Sequence, residues 1–337
     1  MNSCKDSKGP ESSAKPENAE EYRIAIAAGI LRNGGLVAFP TETVYGLGAN
    51  AYNEEAVARI FELKGRPRFD PLIVHVASVE GALEVFSNIP DPARDLMRRF
   101  WPGPLTLVLP KRSSLPDLVT AGLPTVAVRM PDHPIALRLI REAGVPIAAP
   151  SANRFGRTSP TTAGHVRRQF PSGLDDLIDG GPCPIGVEST VLGFDEDGMP
   201  CLLRPGGLPL EAIEAILGPI QTGRQGATGP LLSPGMMERH YAPHTLLRLD
   251  SLSPAMTSGK RLGWIGLGQP ADRSRYAVIE SLGDPGDVRT AATRLFAALH
   301  RLDDQRLDGI EAASVPETGL GRAINDRLRK AAAGSGT

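Results

Sequence analysis

Cysteine is scarce in this chain. Cys4, Cys183 and Cys201 are the only three among 337 residues, none stands in a CxxC pair, and three thiols cannot all pair with one another. A disulfide scaffold and a thiolate zinc site are both disfavoured on that count. No stretch approaches the roughly 20 consecutive apolar residues that a membrane-spanning helix needs. The opening MNSCKDSKGPESSAKPENAEE has no apolar segment of the kind that directs secretion. The expectation is a soluble, cytoplasmic protein with no membrane contact and a disordered N-terminus over residues 1–20. An excess of one charge is lacking too. The 37 Lys and Arg against 38 Asp and Glu leave a net charge of −1, so no overall field draws the molecule to nucleic acid and any polyanion affinity must be a local patch.

Familiar catalytic signatures are also missing. Gly46 and Gly48 form a GxG without the rest of a dinucleotide fingerprint, and GLGQPA at Gly266 fares no better. Ser151 lacks the G-x-S-x-G elbow of a serine hydrolase. His240 and His244 are four apart, but Pro243 between them forbids a shared helix face, so they make no zinc pair.

What is present is a repeated alternation of helix, glycine stop and strand. From Glu20 to Asn33 the apolar residues Ile24, Ala27, Ala28 and Leu31 recur at helical spacing, and Gly34-Gly35 ends the helix before LVAFP starts a strand. Helices are expected over Glu54–Leu63, Asp91–Phe100, Pro134–Glu142 and Leu210–Leu217. Strands are expected at PLIVHV, PLTLVLP, TVAVRMP and PIAAPSA, and STVLGF with CLLRPG reads as a hairpin. Strands broken by helices of this length imply an α/β domain. The segment GPIQTGRQGATGPLLSPG has no apolar periodicity and the composition of a mobile connector. Strands at TLLRLD, RLGWIGLG, YAVIESLG and GIEAASVP, with helices at DVRTAATRLFAALHRLDDQ and GLGRAINDRLRKAA, form a second, small α/β unit. The expected division is 21–217, a connector over 218–243, and 244–337.

The chemistry is concentrated in polar segments at strand ends. KGRPRFDPLIVHV places Lys64, Arg66 and Arg68 at alternate positions, and Pro67 and Pro71 imply an ordered loop that aims these cations at an anion such as a triphosphate. APSANRFGRTSP offers Ser151 and Asn153 as helix-capping groups or as the border of an anion site. FPTETVYGLGANA reads as a strand leaving into a turn, its glycines allowing close approach to a ligand. His75 lies inside a strand, ordinarily the place of a core histidine. Arg129 ends an apolar strand, where a lone cation requires an anion; a bound carboxylate and a neighbouring Asp or Glu both satisfy that need, and the sequence leaves the two open.

FPTETVYGLGANA, KGRP with PLIVHV, FWPGPLTLVLP, PIAAPSAN with SPTTA, GVESTV, LRPG and SPGMMERHYAP, taken in order from about Tyr22 onward, resemble the YrdC/Sua5 family of threonylcarbamoyl-AMP synthases in its long two-domain form. The resemblance implies a twisted open mixed α/β sheet around a large basic cavity, with a small Rossmann-like α/β domain tethered by the linker. It implies a nucleotidyltransferase reaction in which L-threonine, bicarbonate or CO₂, and ATP give threonylcarbamoyl-AMP and pyrophosphate for tRNA modification. The family's lysine-x-arginine and serine-x-asparagine elements fall on Lys64, Arg66, Ser151 and Asn153 as catalytic residues. ATP is implied to meet Arg66, Asp70, Thr125, Ser151, Ser159, Arg204 and Tyr241, with Asp70 standing where many members have Asn. Threonine is implied to meet Thr43, His75, Arg129, Ala149 and Ser189. Mg²⁺ is implied to enter on the ATP phosphates, without protein ligands and without an organic cofactor. A tRNA threonylcarbamoyl transferase is the implied downstream partner, and weak binding of double-stranded RNA or tRNA is a further implied property.

Overall fold

The computed structural model describes residues 19–195, 198–222, 235, 237, 239–250 and 259–335. The expected N-terminal tail lies almost wholly outside the described residues, as do Cys4 and most of the connector. The first unit contains α1 (Ala19–Arg32), β1 (Val37–Phe39), β2 (Gly46–Asn50), α2 (Glu54–Lys64), β3 (Ile73–His75), α3 (Val79–Leu83), α4 (Asp91–Phe100), β4 (Leu105–Pro110), α5 (Asp117–Thr120), β5 (Thr125–Arg129), α6 (Pro134–Ala143) and β6 (Ile147–Ala148). It continues with α7 (Ala163–Gln169), β7 (Asp176–Leu177), β8 (Thr190–Phe194), β9 (Pro200–Arg204), α8 (Leu210–Leu217) and β10 (Gln221–Thr222). The second unit holds β11 (Leu247–Leu249), β12 (Leu262–Gly266), β13 (Val278–Ser281), α9 (Val288–Asp303), β14 (Gly309–Ala312) and α10 (Gly321–Gly334).

The strands of the first unit form one mixed sheet in the order β10-β9-β8-β4-β5-β3-β6-β2-β1-β7. Apolar residues of α1 and α6 cover one face around Ile24, Leu31, Phe39 and Leu139. The larger core, with Leu47, Ile60, Val74, Leu107 and Val128, fills the other. The register decides which polar groups become neighbours. His75 of β3 pairs with Arg129 of β5, and Thr106 of β4 pairs with Arg129 from the other side, so three polar residues lie in a row across the sheet.

The second unit is a parallel sheet ordered β11-β14-β12-β13, with the buried Leu295, Phe296 and Leu299 of α9 and Ile324 and Leu328 of α10 in its core. Val44 and Val187 of the first unit and Tyr241 of the connector belong to that same core, so the two units share apolar packing.

Two expectations change here. GLGAN is strand β2 rather than a turn, and its glycines serve packing: a Cβ on Gly48 would stand 2.8 Å from both the Phe39 ring and Ile147. The connector opens with the edge strand β10, paired in parallel with β9. Both its residues are exposed, and backbone pairing at an edge leaves no apolar pattern in the sequence to detect.

Candidate active site

Helix α2 explains the cationic segment. Asn53 caps its start by accepting from the Ala56 amide at 3.0 Å, and Gly65 ends it in the left-handed conformation at φ 64°. The helix therefore runs through Lys64, and only Arg66 and Arg68 remain on the turn that Pro67 shapes. This corrects the expectation of three loop cations. The Lys64 ammonium is buried and donates to the backbone carbonyls of Ser151, at 2.6 Å, and Asn153. It thereby fastens the PSAN loop to α2. Burial holds its pKa well below the usual lysine range, with Arg66 adding to the effect. Arg68 is exposed.

Arg66 is fixed from below. Its Nε donates to the Asp70 carbonyl at 3.0 Å, Nη2 donates to the Pro71 carbonyl at 2.7 Å, and Nη2 lies 2.8 Å from Asp70 Oδ1. Asp70 is fully buried and does not line the cavity. Its carboxylate faces Arg66, which removes the repulsion an acid beside phosphates would otherwise exert.

One cavity gathers residues from separate elements. Thr43, His75, Arg129, Ala149 and Ser189 all line it, and so do Arg66, Ser151, Arg204 and Tyr241. Among the described residues the lining holds three arginines, Arg66, Arg129 and Arg204, and one acid, Glu188. Arg129 is not alone: Nη1 donates to Thr43 Oγ1 at 2.8 Å and Nη2 to Glu42 Oε2 at 3.2 Å, while its Nε has no hydrogen-bond partner among the described residues. The sequence left a carboxylate ligand and a neighbouring acid both open; the structure supplies Glu42 as the acid. Burial raises the Glu42 pKa, and the Arg129 charge opposes that rise. Burial, then the nearby Arg129, pushes the His75 pKa down to about 3, so the imidazole is neutral at physiological pH. Its Nδ1 has no hydrogen-bond partner among the described residues.

The far wall comes from the hairpin and the connector. Arg204 Nε and Nη2 donate to the Ser189 carbonyl at 3.2 and 2.8 Å, and Thr106 Oγ1 meets Ser189 Oγ at 2.7 Å. Tyr241 is buried in the left-handed conformation, φ 63°, a strained state for a bulky residue. Gly235 and His240 line the cavity with it.

Five predicted site residues do not line this cavity: Lys64, Asp70, Thr125, Asn153 and Ser159. Lys64 and Asp70 act from behind the wall, as described. The Asn153 amide donates to the carbonyls of Arg154 and Arg157 at 2.8 and 2.9 Å, which shapes its own loop. Ser159 is buried and donates to Glu188 Oε1 at 2.5 Å. Thr125 starts β5, four steps from Arg129 and so about 13 Å along the strand at the usual rise. Glu42 and Glu188 entered the sequence analysis only within the motifs FPTETVYGLGANA and GVESTV, and His240 only as half of a rejected zinc pair. All three adjoin predicted site residues, Thr43, Ser189 and Tyr241, and that adjacency was the available signal. Among the described residues no three His, Cys, Asp or Glu side chains converge as metal ligands, and no helix is long and apolar enough to cross a membrane.

Comparison with known proteins identifies the family and the fold. A family model described as "Telomere recombination" (Sua5_yciO_yrdC) matches residues 29–206, and one described as "Threonylcarbamoyl-AMP synthase, C-terminal domain" matches residues 208–333. Threonylcarbamoyl-AMP synthase of Bacillus subtilis (strain 168) is 48% identical over 329 residues, covering 94% of this chain and 95% of the relative. The enzyme of the same name from Pyrococcus abyssi is 49% identical over 334 residues, with 94% and 95% covered. The crystal structure of P. abyssi Sua5 complexed with L-threonine superposes with a TM-score of 0.87 at 47% identity, over 95% of this chain and 98% of that one.

Proposed function

The chain belongs to the Sua5/YciO/YrdC family, and we infer that it is a threonylcarbamoyl-AMP synthase, a nucleotidyltransferase that makes threonylcarbamoyl-AMP and pyrophosphate from L-threonine, bicarbonate and ATP. The observation that carries the site assignment is the convergence of Thr43, His75, Arg129, Ala149 and Ser189 with Arg66, Ser151, Arg204 and Tyr241 on one cavity. The first set takes threonine and the second the nucleotide. Arg129 presents Nε, without a hydrogen-bond partner, to the amino-acid carboxylate, held at the right angle by Glu42 and Thr43. His75, neutral at working pH, contributes a hydrogen-bonding wall and is too weak a base to accept the ammonium proton.

The chemistry needs no covalent enzyme intermediate. The nitrogen of the threonine ammonium bonds to the bicarbonate carbon as one water and one proton leave, giving a carbamate. A carbamate oxygen then bonds to the α-phosphorus while the bond to the departing pyrophosphate breaks. Arg66 and Arg204 bind and orient the phosphates and meet the charge that develops there, so positioning and preorganised electrostatics supply the catalysis. Mg²⁺ would be held by the ATP phosphates and would supply charge neutralisation there, since the acids nearest the cavity are already paired, Glu188 with Ser159 and Arg327, Asp70 with Arg66 and Glu42 with Arg129.

In this reading residues 21–217 are the catalytic unit, 218–243 a lid whose Tyr241 closes the cavity over a mixed anhydride that water would destroy, and 244–337 the C-terminal unit. The product passes to a tRNA threonylcarbamoyl transferase in the cytoplasm, and any direct contact with tRNA is weak and salt-dependent. The decisive experiment is mass spectrometry of protein, threonine, bicarbonate and Mg-ATP. Threonylcarbamoyl-AMP is expected only when all three substrates are present, and its absence from the complete mixture overturns the reading.

A further inference from the structure

The largest fully buried side chain among the described residues, Arg327, comes from the C-terminal unit and not from the cavity's own sheet. It lies on α10, yet its Nε donates to Glu188 Oε2 at 2.7 Å and Nη1 to the Pro205 carbonyl at 3.0 Å. Its own neighbour Asp326 accepts a further bond at 2.5 Å. The guanidinium carbon stands 4.9 Å from the centre of the Tyr241 ring, within the range of a cation–π contact. Among the described residues Glu188 is the one acid of the cavity lining, and its other oxygen accepts from Ser159. Nearby on the same helix, Lys330 donates to the Gly235 carbonyl at 2.6 Å, and its own carbonyl accepts from the His240 amide at 3.3 Å. One helix of the second unit thus holds both the lining acid and the connector residues that close the cavity.

We propose that Arg327 is a positioning residue for the adenylation reaction: by pairing with Glu188 and covering the Tyr241 ring, it keeps the acid of the cavity wall neutralised where a triphosphate must bind. The inference rests on the functional reading given above. A buried carboxylate whose partner is removed either stays charged, opposing the nucleotide phosphates, or takes up a proton. Burial alone drives the Glu188 pKa up, but Arg327 and then Arg204 overcome it and hold the group below the usual carboxylate range. Arg204 also holds Ser189, so with Arg327 gone Glu188 would compete for the very cation meant for substrate. The second unit is therefore part of the nucleotide site through a charge it lends, although Arg327 does not line the cavity.

Three full-length variants test this against a merely structural role, with pyrophosphate release followed at varied ATP and threonine binding measured by calorimetry without ATP. Arg327→Met removes the charge and retains the bulk; its ATP KM should rise about tenfold or more while the threonine Kd stays within about twofold. Arg327→Lys keeps the charge and should hold the ATP KM within about threefold of the parent value. Adding Glu188→Gln to Arg327→Met removes the orphaned acid and should lower the ATP KM at least about fivefold relative to the single variant. An unchanged ATP KM in Arg327→Met, or no recovery on adding Glu188→Gln, overturns the proposal. Should Arg327→Met not fold, the double variant, which buries no lone charge, decides against Arg327→Lys: an ATP KM more than about tenfold above that of the lysine variant overturns the proposal, and a smaller gap supports it. Absence of threonine-dependent pyrophosphate release in the parent protein would instead sink the functional reading on which the inference rests.

Discussion

Arg66 and Arg68 stand two residues apart on the same turn and have opposite fates. Arg66 is buried against Asp70 with its guanidinium on the cavity, and Arg68 lies in solvent. Arg66→Ala should therefore raise the ATP KM by about a hundredfold and, by orphaning Asp70, also lower stability by about 3–5 kcal/mol. Arg68→Ala should leave the KM within about twofold and stability within about 0.5 kcal/mol. Steady-state pyrophosphate release and denaturant melts of both variants check this, and equal losses would show that the turn is read wrongly. Alternating cations were visible in the sequence, but which one turns inward was not. That choice depends on Asp70 and the Pro71 carbonyl meeting one guanidinium in three dimensions.

At the scale of elements, the helices were the legible part. The predicted helices Asp91–Phe100 and Leu210–Leu217 coincide with α4 and α8, and α2 runs one residue beyond its expected end. Local cap residues carry these boundaries: Pro90 before α4, Asn53 and Gly65 around α2, and Pro209 and Gly218 around α8. Strand β2 escaped because GLGAN has no β-branched residue and alternates only Leu47 and Ala49 with two glycines and Asn50, too short a pattern to part from a turn, and its glycines are needed by neighbours rather than by its own backbone. Gly48→Ala would push a methyl into Phe39 and Ile147, each 2.8 Å from the added carbon. A loss of about 1–3 kcal/mol is expected from that overpacking. A variant melting at the parent temperature would mean that β2 does not lie against Phe39 as described.

For the whole molecule, the shared core matters most. Tyr241 packs 5.6 Å from Phe296 of α9 and under the guanidinium of Arg327 of α10, so the cavity's far wall and the second unit stand or fall together. Four imidazoles, three buried and that of His300 half-buried, tie the assembly to pH. Burial, aided by neighbouring cations or a second imidazole, pushes His75 and His165 to about 3 and His240 well below the usual value; burial likewise brings His300 to about 4. Stacked at 4.0 Å, His165 and His300 join α7 to α9 across the two units. All four are neutral in the folded state, whereas the unfolded chain protonates them near pH 6.5. The stability they contribute is complete above about pH 6.5 and is lost on acidification, by roughly 1–2 kcal/mol each at pH 5. Glu42 and Asp70, with raised pKa values, work in the opposite direction but are only two. The melting temperature should fall between pH 7 and pH 5, and a constant or rising value would show that these histidines are not buried neutral.

The sequence by itself determined the α/β class, the order of the main helices and strands, and the ordered motifs by which the family is identified, because these rest on local periodicity and on runs of adjacent residues. Only the tertiary structure decided the charge pairing of the site. Glu42 meets Arg129 across 87 positions and Glu188 meets Arg327 across 139. No spacing rule reaches that far: which buried acid neutralises which buried base follows from strand register and from the docking of a second unit, and a charge is stable out of water only where that packing delivers its partner.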